Sequence, residues 1–149
     1  MNEQSEIRGI QAIHPQETGM KGALETIFIY YGNKDPQYDE SQDIERLASQ
    51  NGFKTELLPP GFDAIRDNVA MGTPILVKYT ENKQLHYGVV TGWDKENLKI
   101  ADRGWMNARD FEVMWDKKSY TILPSDKEFQ KEHEFKKIVT KERRSKENI

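Results

Sequence analysis

Residues 86–105, "HYGVVTGWDKENLKIADRGW", carry the pattern that decides the fold class. Two runs rich in β-branched and aromatic side chains, "HYGVVTGW" (86–93) and "NLKIADR" (97–103), are joined by the turn "DKEN", and this pattern predicts an antiparallel hairpin. An earlier run, "TPILVKYT" (73–80), and a later one, "SYTIL" (119–123), predict two further strands. The second half of the chain is therefore predicted to form an antiparallel sheet, with a brief helix over "NARDFEVMW" (107–115) before the last strand.

The first half of the chain shows helical spacing instead. In "QETGMKGALETIFIYYG" (16–32), apolar residues recur at i, i+3, i+4 and i+7, at Leu24, Ile27, Phe28 and Tyr31. A second helix is predicted in "DESQDIERLASQNG" (39–52), with Ser41 as a candidate N-cap, and a third in "FDAIRDNVAMG" (62–72). The run "FKTELLPPG" between them predicts a short strand and a turn. Helices first and antiparallel strands afterward indicate an α+β domain.

Length and charge limit the classes of function. A chain of 149 residues is one domain's worth, predicted here as a domain over 1–125 and a charged tail over 126–149. The formal net charge of -3 removes the long-range attraction on which nonspecific nucleic-acid binding depends. Neither a membrane span of about 20 apolar residues nor a signal peptide is recognisable, so a cytoplasmic location is expected.

The chain contains no cysteine. Disulfides, thiolate metal sites and a cysteine nucleophile are therefore excluded from the sequence as it stands. The three histidines, His14, His86 and His133, are scattered and lack the spacing of metal ligands. No metal site and no cofactor are predicted.

His86 and Asp102 are the residues in the strand region that attract a functional interpretation. If three residues, 94–96, close the hairpin, Asp102 lies opposite Gly88 and shares a face with His86. The two Cα atoms would then be roughly 8 Å apart, close enough for the side chains to hydrogen-bond. A four-residue turn would put them on opposite faces, so both arrangements stay open. Taken alone, such a pair in strands is more often structural.

The order of these motifs resembles the C39-like peptidases, a branch of the papain-like cysteine peptidase superfamily. The resemblance runs from about Ile10 to Leu123. It rests on a glutamine and Thr-Gly before a helix ending in "YYG", then "MGTPILV", "HYGVVTGWD" and "IADRGW". It implies a papain-like fold with N-terminal helices packed on an antiparallel sheet.

The resemblance also implies a set of site residues. His86 matches the catalytic base and Asp102 matches its orienting partner. The oxyanion-hole glutamine would be Gln16, or else Gln11. The nucleophilic cysteine of the family would fall at the start of the first helix. There the Thr-Gly pair points to Met20, and counting back from "YYG" points to Gly19.

Other positions near the implied cleft are candidates for ligand binding. Thr18 has a hydroxyl there, although its predicted role is to cap the helix. Tyr87 and Trp105 could line a peptide- or ring-binding surface, and Trp105 is predicted to lie in a loop. Arg103 stands where the family commonly has proline, and it could pair with Asp102 in competition with His86.

The sequence therefore predicts a catalytically inactive pseudo-peptidase that binds a peptide or small ligand in its former cleft. One alternative is an active cysteine peptidase or acyl transferase present as a variant, with Ala23 as the substituted position. Another alternative is an interaction or inhibitor protein that binds a protein partner through its outer surface and its charged tail.

Overall fold

The computed structural model describes residues 4–13 and 19–125. Its helices are α1 (Met20–Tyr30), α2 (Ile44–Gln50), α3 (Phe62–Ala70) and α4 (Ala108–Met114). Its strands are β1 (Ser5–Glu6), β2 (Phe53–Leu57), β3 (Ile75–Glu81), β4 (Gln84–Trp93), β5 (Asn97–Ile100), β6 (Gly104–Asn107) and β7 (Trp115–Pro124). The strands form one antiparallel sheet in the order β2-β7-β3-β4-β5-β6, and β1 pairs with β4. The predicted α+β class is confirmed.

Helix α1 packs on one face of this sheet. Directly paired residues share a face, and side chains alternate between faces along each strand. Through the pairs of β2 with β7, β7 with β3 and β3 with β4, Phe53, Leu76 and Val89 point to the same side. The Phe53 ring stacks on Phe28 of α1, with centroids 4.7 Å apart. We call this side the α1 face.

Helices α3 and α4 cover the opposite side, which we call the α4 face. Tyr79 of β3 points to this side, opposite to Leu76. Its ring centroid lies 5.6 Å from that of Phe111 in α4. Trp115 pairs with Tyr79 and stacks on Phe62 at the start of α3, with centroids 5.5 Å apart. The buried core thus has two layers, one on each side of the sheet.

The turn of the predicted hairpin is the four-residue alternative that the sequence left open. Trp93 pairs with Leu98, so four residues rather than three close the connection between β4 and β5. The register then shifts at Thr91, and Val90 pairs with Ile100. One extra residue in β4 therefore offsets the extra residue in the turn. From Val90 and Ile100 onward, β4 and β5 are in the register that was predicted for a three-residue turn.

Three local predictions need correction. Asp43, not Ser41, caps α2, because its carboxylate accepts the Arg46 N–H at 2.9 Å while the Ser41 hydroxyl donates to Asp39. The strand predicted to reach Arg103 ends at Ile100. Trp105 lies in β6 rather than in a loop, since its stretch pairs with β5. The short helix predicted near residue 110 is present as α4.

Candidate functional site

A hollow lies where the first turns of α1 meet β4 and the end of β5. Its volume is about 10 Å³, which admits a single water-sized group. Its walls are formed by Ala12, Ile13, Gly22, Ala23, Thr26, Tyr87, Gly88, Val89, Ala101 and Asp102. This is the place in the fold at which the sequence implied a reactive centre.

Thr26 fixes the wall that α1 and the N-terminal segment share. Its hydroxyl donates to the carbonyl of Gly22 at 2.8 Å and accepts the Ile13 N–H at 2.9 Å. Residues 4–13 are thereby tied to the helix beside the hollow. Thr26 was not among the site residues predicted from the sequence. The sequence signal that could have identified it is a hydroxyl among the apolar residues on the buried side of the first helix.

The positions suggested for the missing nucleophile lie at different depths. Gly19 is the N-cap of α1, in an extended conformation without a side-chain capping bond. A Cβ placed on Gly19 would meet no atom of the described residues within 4 Å. Met20 packs against the core. Of the three positions, only Ala23 borders the hollow, together with Asp102.

His86 lies on the α4 face, across the sheet from α1. It pairs with Tyr79, and the two rings stack with centroids 5.2 Å apart at an interplanar angle of 18°. The residue is only 9% exposed, and its Nδ1 is buried without a hydrogen-bond partner. The imidazole is therefore packed as a ring, turned away from the helix at which the resemblance placed the nucleophile.

Asp102 occupies the turn after β5, in the left-handed region at φ 72°. It borders the hollow, and burial raises the pKa of its carboxyl, while the charges of Arg103 and His86 act in the opposite direction. Asp102 and His86 therefore interact electrostatically. Within residues 4–13 and 19–125, Nδ1 of the imidazole has no hydrogen-bond partner, so it makes no hydrogen bond to Asp102.

Arg103 binds Glu81 rather than Asp102. Its guanidinium donates to both Glu81 oxygens, at 2.7 and 3.2 Å, and to the Tyr79 hydroxyl at 3.3 Å. The hydrogen bond from Arg103 lowers the pKa of the Glu81 carboxyl, and burial raises the pKa of the Tyr79 phenol. The expected pairing of Arg103 with Asp102 is replaced by this ion pair.

Tyr79 and Glu81 are thus site neighbours that the sequence analysis missed. The turn between β3 and β4 is the feature that identifies them. Asn82 and Lys83 both have positive φ, as in a two-residue turn that pairs the residues on either side of it. Counting outward from this turn places Tyr79 directly opposite His86.

The two aromatic candidates, Tyr87 and Trp105, share the α1 face. Tyr87 borders the hollow, and the ammonium of Lys78 lies 5.6 Å from its ring centre. Trp105 of β6 pairs with Lys99 of β5 and is 43% exposed. Both side chains are therefore available for contact on the side of the sheet that carries α1.

Two further candidates, Gln16 and Thr18, lie outside the described residues, as does the tail from residue 126. The alternative glutamine, Gln11, is exposed in the N-terminal segment. The described ranges contain no group of three side chains suited to hold a metal ion. None of the helices in these ranges is long and apolar enough to cross a membrane.

No protein-family model and no curated protein matches this chain. Solved structures do resemble it. The peptidase domain of Streptococcus ComA, a bi-functional ABC transporter involved in a quorum-sensing pathway, superposes with a TM-score of 0.57 at 18% identity. That match covers 77% of this chain and 96% of the domain. The peptidase domain of Streptococcus mutans ComA gives a TM-score of 0.53 at 15% identity, covering 76% and 99% of the two chains.

A third similar structure is a periplasmic domain of the EpsAB fusion protein of the Vibrio vulnificus type II secretion system. Its TM-score is 0.52 at 13% identity, covering 78% of this chain and 50% of that one. Such low identities establish the fold alone. The chain has a C39-like peptidase-domain fold, as the sequence motifs implied.

Proposed function

We propose that this chain is a catalytically inactive C39-like domain that binds a peptide or small ligand at the former active-site surface. The observation that carries the proposal is a peptidase-domain fold without any cysteine among its 149 residues. A glycine caps the helix from whose N-terminus the family's nucleophile would attack. Without a thiolate, covalent catalysis of the papain type has no attacking group.

The position of His86 also supports the absence of catalysis. A general base must come within hydrogen-bond reach of the group from which it takes a proton. His86 is stacked on Tyr79 on the side of the sheet opposite α1. A nucleophile at the start of α1 would therefore have the sheet between itself and the imidazole.

The α1 face still offers features that hold a ligand. The first N–H groups of α1 carry the positive end of the helix dipole, and Gly19 gives them no side-chain cap. Such N–H groups favour a carbonyl or an anion. The hollow beside Tyr87 admits one small group, and Trp105 exposes an aromatic surface on the same face. These features suit an extended peptide lying across the surface better than a compact molecule enclosed in a pocket.

The test is an NMR titration of the isotope-labelled chain with candidate extended peptides and metabolites. We expect saturable shifts at Ala23, Tyr87 and Trp105. Trp105→Ala should weaken binding, whereas Val113→Ala should not, because Val113 is 87% exposed on α4, away from the α1 face. Shifts that map away from the α1 face would refute the assignment of the cleft.

A second candidate function rests on Ala23. This small side chain lines the hollow together with Asp102, so a thiol at position 23 would project into the same space. The chain would then be a cysteine peptidase or acyl transferase carrying a substitution. Under our proposal, Gly19→Cys is alkylated by iodoacetamide, because Gly19 is exposed, and neither Gly19→Cys nor Ala23→Cys cleaves a peptide. Cleavage by the Ala23→Cys variant, absent from the Gly19→Cys variant, would establish the enzyme instead.

A further inference from the structure

A second, larger cleft lies beside the α4 face, between the starts of α3 and α4 and the turn joining β4 to β5. Its volume is about 560 Å³, within the range of small-molecule sites. The polar and aromatic side chains in its walls are Phe62, Arg66, Lys95, Glu96, Asn107 and Arg109. Three cations thus face one carboxylate, in a chain whose overall net charge is -3. The cleft is therefore positively charged, whereas the molecule as a whole carries a negative net charge.

Arg66 is held in place by aromatic rings rather than by an acidic partner. Its guanidinium carbon lies 5.8 Å from the ring centre of Phe62 and 5.7 Å from that of Trp93. Its Nε is buried and has no hydrogen-bond acceptor in the described part of the chain. A guanidinium already fixed in orientation loses little conformational entropy when it binds an anion.

The other two cations, Lys95 and Arg109, are also uncommitted. Neither side chain has an ion pair or a hydrogen bond within residues 4–13 and 19–125. The nearby carboxylate of Asp94 is already occupied, because it accepts hydrogen bonds from Asn97 and from the Glu96 N–H. The protein therefore supplies the cleft with donors but with few acceptors for them.

Side chains, not helix N–H groups, would make the contacts. The Asn107 side chain accepts the Arg109 and Asp110 N–H groups at 2.9 and 3.2 Å, which satisfies the start of α4. A guanidinium binds two oxygens of a carboxylate or phosphate at once, and an ammonium adds a point charge. Two guanidinium groups and one ammonium suit a ligand with more than one acidic group.

We propose that this cleft binds a small polyanion, a molecule bearing two or more phosphate or carboxylate groups, through Arg66, Lys95 and Arg109. The hollow beside α1 lies on the other side of the sheet, so this inference does not depend on the proposed function. Phe62 and Ala108 add an apolar wall for the carbon part of such a ligand.

The test is a titration of the full chain, in separate arms, with pyrophosphate and with citrate at low ionic strength. The Trp93 indole N–H is the reporter, because it donates to the Arg66 carbonyl at 3.0 Å. We expect a saturable NMR shift of this resonance. The double variant Lys95→Gln, Arg109→Gln should weaken binding by about tenfold. Lys54→Gln, on β2 at the opposite edge of the sheet, should leave binding within about twofold of the parent.

The two arms separate the sources of the anionic groups. Saturable binding of pyrophosphate alone assigns phosphate-bearing ligands, binding of citrate alone assigns carboxylates, and binding of both assigns the wider class. Absence of saturation in both arms would overturn the inference, as would equal weakening by Lys54→Gln. Arg66→Lys keeps the charge but removes the planar fork, so retained affinity in this variant would overturn the role of Arg66. Dispersed NMR spectra of each variant establish that it is folded.

Discussion

Tyr79 and His86 form a stacked pair whose imidazole keeps Nδ1 buried without a hydrogen-bond partner. An unpartnered buried polar atom costs about 1–3 kcal/mol, whereas an apolar ring of the same shape keeps the packing without that cost. We therefore expect His86→Phe to match or exceed the parent's free energy of unfolding by up to about 1 kcal/mol. Urea denaturation measures this difference.

The control for His86→Phe is His86→Ala, which removes the ring as well as the polar atoms. We expect it to lower the free energy of unfolding by about 2–3 kcal/mol through the loss of packing on Tyr79. A large loss of stability in His86→Phe would contradict the structural role. It would mean that the imidazole makes a hydrogen bond worth more than its packing.

Asp102 gives a pH-dependent prediction. Burial raises the pKa of its carboxyl, so the folded state holds the proton to higher pH than the unfolded state does. The stabilising effect of protonated Asp102 is therefore present below the ordinary pKa of an aspartate. It is lost as pH rises through the raised pKa of the folded state. Asp102→Asn removes this loss and suits the left-handed φ of 72°. In urea titrations, the stability gained by the variant should grow as pH rises from the ordinary pKa of an aspartate through the raised pKa of Asp102.

Glu81 is the matched control with the opposite sign. The hydrogen bond from Arg103 lowers the pKa of its carboxyl, so its stabilising effect is present above the ordinary value and is lost as pH falls. Glu81→Gln should therefore lose stability relative to the parent as pH rises. If Asp102→Asn behaved like Glu81→Gln, Asp102 would be acting as the ion-pair partner of His86 or Arg103.

At the scale of elements, the turn between β3 and β4 sets the register of the site. Lys83 holds a positive φ of 65°, which costs a residue with a Cβ about 1 kcal/mol. Lys83→Gly should raise the free energy of unfolding by about 0.5–1 kcal/mol, because Asn-Gly suits this turn. Thermal and urea unfolding report the gain. Lys54→Gly in the extended strand β2 should instead lose a similar amount. A loss in both variants would argue against a strained turn.

The elements also show what sequence can predict. Periodicity predicted α1, α3 and the strand pair around residue 95, because these signals are local. The four-residue turn was one of two alternatives that the sequence left open, but the shift at Thr91, which cancels its effect on the register, was not predicted. The face of α1 depends on Phe28 meeting Phe53, which belongs to a strand placed by pairing with β7. Contacts so distant in sequence decided that His86 turns away from α1.

For the whole molecule, motif order was more informative than the individual site residues. The ordered set of motifs indicated the C39-like fold, which the similar solved structures bear out. The same set could not tell how His86 and Asp102 are partnered. Tyr79 and Glu81 come from a neighbouring strand, and they engage His86 and Arg103 through packing and charge. A fold tolerates such exchanges of partner, whereas a catalytic geometry does not.

The domain boundary that the sequence predicts after residue 125 gives the last testable prediction. Every buried apolar residue in the described ranges lies between Ile7 and Pro124, and Ser125 closes the sheet edge by donating its N–H and hydroxyl to the Gly52 carbonyl. Deleting residues 126–149 should therefore leave the melting temperature within about 2 °C of the parent, as calorimetry measures it.

Deleting residues 122–149 instead is the control for this truncation. It also removes Ile122 and the pairs of β7 with Phe53, Lys54 and Thr55, so it should destabilise the fold strongly. The deletion of residues 126–149 also distinguishes binding on the α1 face from binding through the tail. A peptide held on the α1 face should bind the truncated chain as tightly as the full one. Loss of partner pull-down from a truncated chain of unchanged stability would assign binding to the tail, because nothing in the folded core would have changed.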